Sequence, residues 1–396
     1  MSQPPFISNQ PVVIDNGTGM IKAGLAGVDI PGCEIRSYVG SPKYDHVIVS
    51  DDIPDSGWWV GSDLKTRRGL CHLEYPICHG IIEDWDKMEL LWKHIFSDRQ
   101  LGVESKEHPV LLTEAPFSPR KQAERMAEFF FEKMQSPALY IAPQPLLSLY
   151  SVGKDTGIVV EIGEGVSSYF PVYDGFAMTP HIKRVDLGGR EVTTYLQQLL
   201  RRNGVILSTS SEFEIVREIK ENYSECNTEA VTDTQRSQLI DCVLPDGKVI
   251  QLGEERFQCT EVLFDPMVIG YEPMGVPEMI AQTIQSCDLE LRSSLYSNVI
   301  LSGGVTTTKG FAKRVLERLM TIPPSTKICL YSPPKRTQSA WVGGCLLATL
   351  SPFKNMWIMK EEYEEEGVNC VHKKCWMLFV CWRIGVAARS CQKSGL

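Results

Sequence analysis

The chain has 396 residues with 43% hydrophobic side chains, enough for about two or three domains on the rough scale of 100 to 200 residues each. Its 40 Lys and Arg stand against 49 Asp and Glu, a net charge of -9, so the basic surplus that coats nucleic acid is missing and no nucleic-acid partner is expected. No apolar run approaches the roughly 18 residues of a membrane span, residues 1–10 lack the apolar core of a secretory signal, and 13 irregularly spaced Cys suit free thiols in a reducing compartment.

The first predicted element is a strand at 12–14. It opens the run Val12-Val13-Ile14-Asp15-Asn16-Gly17-Thr18-Gly19, an apolar β-stretch ending in an acid and then a Gly-x-Gly turn. Glycines there permit a tight turn that bares backbone N–H groups to an anion. Between Gly40 and Val60 the pattern breaks into a turn-rich segment ending in Trp58-Trp59 and a strand. It is either a plain loop or a contact loop, since paired Trp are typical interface anchors. A strand at 110–112 follows. After Glu114-Ala115-Pro116 a helix is expected, capped by Ser118 with Pro119 in its first turn, and with Ala123, Met126, Ala127, Phe130 and Met134 at core spacing.

At 158–162 the opening grammar returns. Ile158-Val159-Val160-Glu161-Ile162-Gly163-Glu164-Gly165 is again an apolar strand, an acid and Gly-x-Gly. A helix at 214–222 carries Lys220 and Glu221, a polar stretch covers 227–237, and Leu244-Pro245-Asp246-Gly247 is a turn. Between Pro266 and Pro277, Met267, Val268, Ile269, Tyr271 and Met274 sit among glycines and prolines, either tucked under the segment or awaiting a partner. A strand at 299–301 runs into Ser302-Gly303-Gly304-Val305, a third strand-to-glycine junction, and the acidic run 361–366 is expected to be a solvated helix face. Cys370, His372, Cys375 and Cys381, like Cys71-His72 and Cys78-His79, match no familiar zinc spacing, and no metal is expected there. The alternation of strands and helices makes the class α/β.

Two matching turns, facing one another, can hold a nucleotide's phosphates. Their N–H groups supply donors, Thr18 a hydroxyl and Lys22 a point charge. Asp15 and Glu161 would hold Mg²⁺ through its water shell, because that ion dehydrates reluctantly. Neither turn is a Walker loop, and no complete Gly-x-Gly-x-x-Gly occurs.

The runs Asn9-Gln10-Pro11 through Gly19, Glu107-His108-Pro109-Val110-Leu111-Leu112-Thr113-Glu114-Ala115-Pro116, Leu301-Ser302-Gly303-Gly304 and Trp341-Val342-Gly343-Gly344 resemble the actin family. The resemblance extends from about Gln10 to Trp376, ending in His372-Lys373-Lys374-Cys375-Trp376. Asn9-Gln10-Pro11, Ser211-Glu212-Phe213-Glu214-Ile215-Val216, Lys309-Gly310-Phe311 and Lys360-Glu361-Glu362-Tyr363-Glu364-Glu365 resemble the centractin branch, the actin-related subunits of dynactin, more than conventional actin.

That resemblance implies an actin-like ATPase fold: two pseudo-repeated α/β domains, in four subdomains, around a nucleotide cleft. One domain would take residues 1–150 with 338–376, its small subdomain at about 38–75. The other would take 151–337, its small subdomain at about 188–270, and 377–396 would be an added tail. Carried over by position, Asp15, Asn16, Gly17, Thr18, Gly19 and Lys22 form the first clamp of an ATP or ADP site with Mg²⁺, and Gly163, Glu164, Gly165 and Val166 the second. Gly189 approaches the ribose with Glu191 nearby, Lys220 and Glu221 meet the nucleoside, and Gly303, Gly304 and Val305 close the pocket. Gln144 orients the attacking water, with Glu161 beside it. The segment 41–59 becomes the contact loop, and 267–271 the apolar plug between filament strands.

Departures from the family pattern bear on mechanism. Glu161 and Glu164 stand where actins have Asp, Gln144 is flanked by Pro143 and Pro145, and Ser168 replaces a histidine. A hydroxyl is a poorer proton relay near neutral pH than imidazole, so nucleotide binding with at most weak ATP hydrolysis is expected. Thr308 and Thr337 replace a Tyr and a Lys on the adenine side, which lowers the expected affinity. The implied role is a cytoplasmic, cytoskeletal filament subunit that associates with itself and with dynactin or dynein-type adaptor subunits. Alternatives are a chromatin-remodeller subunit, a sperm-type structural actin relative, or a phosphotransferase of the sugar-kinase type, for which no sugar-binding constellation is present. A heat-shock-type chaperone would need a further peptide-binding domain. The stretch 377–396 is either a lineage-specific or mispredicted tail, or a partner segment carrying Leu378, Phe379, Val380 and Trp382.

Overall fold

The computed structural model describes residues 9–43, 57–229, 231–236, 238–322 and 327–375. Most of the expected contact loop, Ser237, Trp376, Cys381 and the tail 377–396 lie outside the described residues.

Two six-stranded sheets organise the chain. In the first, Val12–Asn16 and Met20–Leu25 form an antiparallel hairpin, and Val110–Glu114 pairs parallel to Val12–Asn16. Ala138–Pro143 adds beyond Val110–Glu114, and Cys33–Arg36 and the late strand Ile358–Met359 take the two edges. The second sheet repeats the plan. Gly157–Ile162 and Ser167–Tyr173 form its hairpin, and Val299–Ser302 pairs parallel to Gly157–Ile162. The central strands are buried on both faces, as parallel strands covered by helices must be, which is why they read as unbroken apolar runs.

Between the sheets lie helices Gln144–Ser151 and Ser339–Thr349. They cross so tightly that a Cβ on Gly343 would stand 1.8 Å from the Leu147 carbonyl oxygen. The Trp341-Val342-Gly343-Gly344 run is thus a packing device: Gly343 admits the neighbouring backbone, while Trp341, fully buried, donates Nε1 to the Val13 carbonyl at 3.1 Å. One large core surrounds the first sheet and also takes Val159, Phe170, Val172 and Ile300 from the second. A second core fills the other side of the second sheet, from Ile158 and Leu196 to Phe311. Each fully buried Val, Leu, Ile or Phe in these cores contributes roughly 1.5–3 kcal/mol.

Local expectations are corrected in places. Helix Arg120–Glu128 starts later than expected. Pro119 takes the cap position, and Ser118 turns its hydroxyl back to the Ala115 carbonyl at 2.8 Å, so it does not cap. The apolar stripe is core, with Met126 and Phe130 at 0% exposure. Trp59 is no exposed anchor: it bridges to Gly40 and packs in a small cluster with Tyr38, Leu64, Cys71 and Leu73. Residues 266–274 do present apolar side chains, with Met267 64% and Met274 52% exposed. Helix Lys360–Glu366 keeps Glu361, Glu364, Glu365 and Glu366 in solvent. No described helix is long and apolar enough to cross a membrane.

Candidate functional site

The two hairpins are equivalent to the residue. Asp15 pairs across its hairpin with Lys22, and Glu161 pairs with Ser168, each acid facing the residue seven positions on. In both, the strand delivers the acid to its C-terminal end, where the glycine turn begins.

These turns meet. A Cβ on Gly19 would lie 2.8 Å from the Glu164 Cβ, and one on Gly165 would lie 2.9 Å from the Thr18 Cγ2. Only glycine lets the two loops come so close. Among the described residues, the amides of Thr18, Gly19, Glu164 and Gly165 donate to no protein acceptor. Four unpaired N–H groups beside a cavity form a ready anion cradle. The Thr18 hydroxyl accepts from the Gly80 amide at 3.0 Å, and the His79 ring Nδ1 lies 2.7 Å from the Gly165 carbonyl oxygen, fixing the rim between the turns.

Between the sheets the turns open on a cavity of about 600 Å³, within the usual range for small-molecule pockets. Every site residue expected from sequence lines it except Gly189 and Glu191. Gly189 opens helix Gly189–Arg202 just behind the lining, where its carbonyl accepts from Lys220 Nζ at 2.7 Å. Glu191 bends back to accept from the Gly188 amide at 2.7 Å, which makes it a helix cap. Gly303, Gly304 and Val305 line the cavity, and among the described residues nothing lies within 4 Å of a Cβ placed on Gly304.

Asp15 is the hub of the first half. Its Oδ1 accepts from Thr113 Oγ1 and Gln144 Nε2, both at 2.8 Å, and its Oδ2 lies 3.1 Å from Lys22 Nζ. Gln144 Nε2 is also 3.2 Å from the Asn16 carbonyl and from Thr113 Oγ1, which leaves Oε1 as the free end of that amide. Asn16 lines the cavity, but its side chain is committed to Trp92 Nε1 at 3.0 Å and the Thr113 carbonyl at 3.2 Å, a holding role.

Glu161 is less satisfied. Its Oε1 accepts a long 3.4 Å bond from Ser302, and its buried Oε2 has no partner among the described residues. Burial, and then the neighbouring Asp15 charge, push its carboxyl up to about 8, against the pull of Lys22 and Ser302. An orphaned carboxylate oxygen beside a second carboxylate fits a divalent cation held through water. On the second turn, Glu164 Oε2 pairs with Lys220 Nζ at 3.3 Å. Glu221 is bound by Arg36 at 3.1 and 3.4 Å; burial alone would raise its carboxyl, but Arg36 holds it below the usual range.

The sequence reading missed Gly80, Arg36, Ser224, Glu225, Thr260, Leu263 and Lys309, which also line the cavity. They carry no shared motif and come from segments far apart in the chain. His372 pairs with Glu124 at 2.8 Å, and Cys375 Sγ accepts from the Ile141 amide at 3.4 Å.

Two equivalent sheets presenting facing glycine turns to one cavity define the actin-like ATPase fold. The family model described as Actin matches residues 7–376. An "Actin-like protein" of Neurospora crassa is 42% identical over 378 residues, spanning 93% of this chain and 98% of that protein. The chain belongs to the actin family.

Proposed function

We propose that this actin-related protein binds ATP or ADP with Mg²⁺ between its two glycine turns and serves as a subunit of a short actin-like filament of the centractin type, the rod of a dynactin-type dynein adaptor in the cytoplasm. The observation that carries the binding site is the pair of touching turns with four unpaired amides above two carboxylates. Lys22, the Thr18 hydroxyl and the amides hold phosphate oxygens; Asp15 and Glu161 hold the cation through water. Mg²⁺, when bound, neutralises phosphate charge. A ligand spanning residues 1–150 with 338–376 on one side and 151–337 on the other stabilises the closed form by binding both.

Turnover is slow on this reading. Positioning and polarising water is most of what such a site supplies to phosphoryl transfer. Gln144 keeps one free amide oxygen for that task, but Ser168, opposite Glu161, offers no imidazole to relay the proton. The exposed Met267, Val268, Tyr271 and Met274 supply an apolar contact for a second filament strand.

The enzymatic part is tested by single-turnover phosphate release from monomer and polymer; release as fast as that of conventional actin overturns it. The assembly part is tested by co-purification. Recovery with dynein-adaptor subunits supports it, and recovery with chromatin-remodeller subunits transfers the chain to the other branch.

A further inference from the structure

In each sheet the acid on the central strand is met by a hydroxyl from the strand beside it. Thr113 donates to Asp15 at 2.8 Å in the first sheet, and Ser302, in register with Glu161, donates to it at 3.4 Å in the second. One helix touches both hydroxyls. Gln144, the first residue of Gln144–Ser151, places Nε2 3.2 Å from Thr113 Oγ1. Ser148, one turn later on the same helical face, lies 2.9 Å from Ser302, Oγ to Oγ. Neither serine lines the cavity, and Ser148 is 0% exposed.

The direction of this chain follows from the proton count. A serine hydroxyl has one proton, and Ser302 gives it to the carboxylate, so the Ser302 oxygen accepts from Ser148. That donation holds the Ser302 hydroxyl in its orientation, and hydrogen bonds in a buried chain strengthen one another. The anchor behind Ser148 is stiff. The adjacent Leu147 carbonyl lies against Gly343 of helix Ser339–Thr349, where a Cβ has no room, and Trp341 bonds that helix to Val13 on the Asp15 strand. Both acids are thus referenced to one helix. Asp15, on the shorter side chain, receives Thr113, Gln144 and Lys22, whereas Glu161, with one more rotatable bond, has Ser302 alone among the described residues.

Resting on the cation reading above, we infer that Ser148 is a positioning residue which, through Ser302, fixes the Glu161 carboxylate relative to Asp15 and so biases which divalent cation the pair accepts. Mg²⁺ demands near-octahedral geometry with oxygens at about 2.0–2.1 Å, while Ca²⁺ takes oxygens at about 2.3–2.6 Å in flexible shells. A Glu161 released from its anchor still serves the tolerant ion. It serves the exacting one less well.

The test is the pair of dissociation constants for Mg²⁺ and Ca²⁺ on the ADP-loaded full chain, measured by competition with a fluorescent chelator. Ser148→Ala is expected to weaken Mg²⁺ about tenfold, the lower end of what outer-shell partners of a metal carry, and Ca²⁺ by less than about threefold. Ser302→Ala shifts the ratio the same way, and the double variant shifts it no further than Ser302→Ala alone, because Ser148 acts only through Ser302. Loss of a buried hydroxyl lowers the melting temperature in any structural role; the ratio of the two ions moves only in this one. An unchanged ratio in the single variants overturns the inference while leaving the cation site standing, and a double variant whose shift is the product of the two single shifts overturns it as well. Absence of binding by both ions in the unmodified chain overturns the cation reading together with the inference. Ser148→Cys, a weaker donor of similar shape, carries the same comparison if the alanine variant fails to fold, with a smaller shift toward Ca²⁺ expected and an unchanged ratio overturning the inference.

Discussion

Gly165 stands so close to Thr18 that a Cβ on the glycine would lie 2.9 Å from the threonine Cγ2, and 3.0 Å from the Cα of His79. The two halves of the cleft therefore touch through an atom that is not there. Because the second neighbour is backbone, the site cannot yield by turning a side chain. Gly165→Ala is expected to part the turns and weaken nucleotide binding by at least about tenfold, since a misplacement on the order of 1 Å can cost a hundredfold. Fluorescent-nucleotide titration measures this, and an unchanged affinity would show that the turns do not grip the ligand together.

A second contact spans the outer mouth. Tyr75 donates to Glu214 Oε1 at 2.7 Å, and Glu214, at 0% exposure, also pairs with Arg217 on its own helix. Nearby, Arg68 meets Glu218 at 2.6 Å and the Leu73 amide donates to Ser210 at 3.1 Å. Tyr75→Phe removes one bond worth about 1 kcal/mol and is expected to speed nucleotide release roughly fivefold. Glu214→Ala leaves the buried Arg217 with only a distant carboxylate, Glu221 at 3.8 Å, at a cost of up to about 3–5 kcal/mol. Stopped-flow release and thermal melting separate the two effects; equal losses of stability in both variants would contradict the assignment.

Glu114 predicts a pH dependence. It is 5% exposed, and burial pushes its carboxyl from the usual 4.5 up to about 8. Between those values the folded chain keeps a proton that the unfolded chain releases, so this group's contribution to stability falls as pH rises and levels off above about 8. Glu114→Gln removes this group's share of the slope and leaves that of Glu161. The variant is expected to melt above the unmodified chain at pH 8.5, with the gap closing toward pH 5. A gap that widens on acidification would reverse the sign and refute this account of Glu114.

Ser168→His tests the cause of slow turnover. The side chain lines the cavity opposite Glu161, where an imidazole can relay a proton. Phosphate release in a single turnover is expected to rise at least about tenfold, as positioned acid–base groups typically contribute a hundredfold or more. No change would place the limit elsewhere, with the longer Glu161 and Glu164 and the prolines flanking Gln144 among the remaining departures.

The parts of this fold that sequence made legible are local. Strands at 12–16 and 157–162, the acids at their ends and the glycine turns each lie within one short run, so an apolar stretch followed by Gly-x-Gly announces them. Asp15, Lys22, Glu161 and Gln144 follow from those runs and from the family resemblance. The capping role of Glu191 was not legible because a helix cap is defined by where the helix starts, and Gly188 carries no side chain to signal it. The burial of Trp59 was not legible because its partner Gly40 lies across a loop. The far end of the cavity was invisible for the same reason: Glu225 and Lys309 stand 84 positions apart and only the fold brings them to 2.9 Å.

Nucleotide held across both halves is the central claim, and thermal melting of the full chain with and without saturating Mg²⁺-ADP tests it most directly. A ligand present at about a hundred times its dissociation constant adds about 2.7 kcal/mol to the folded state. The account predicts a rise in melting temperature of about 3 °C for a chain of this size, at least halved in Gly165→Ala. An unchanged melting temperature at millimolar Mg²⁺-ADP would contradict it.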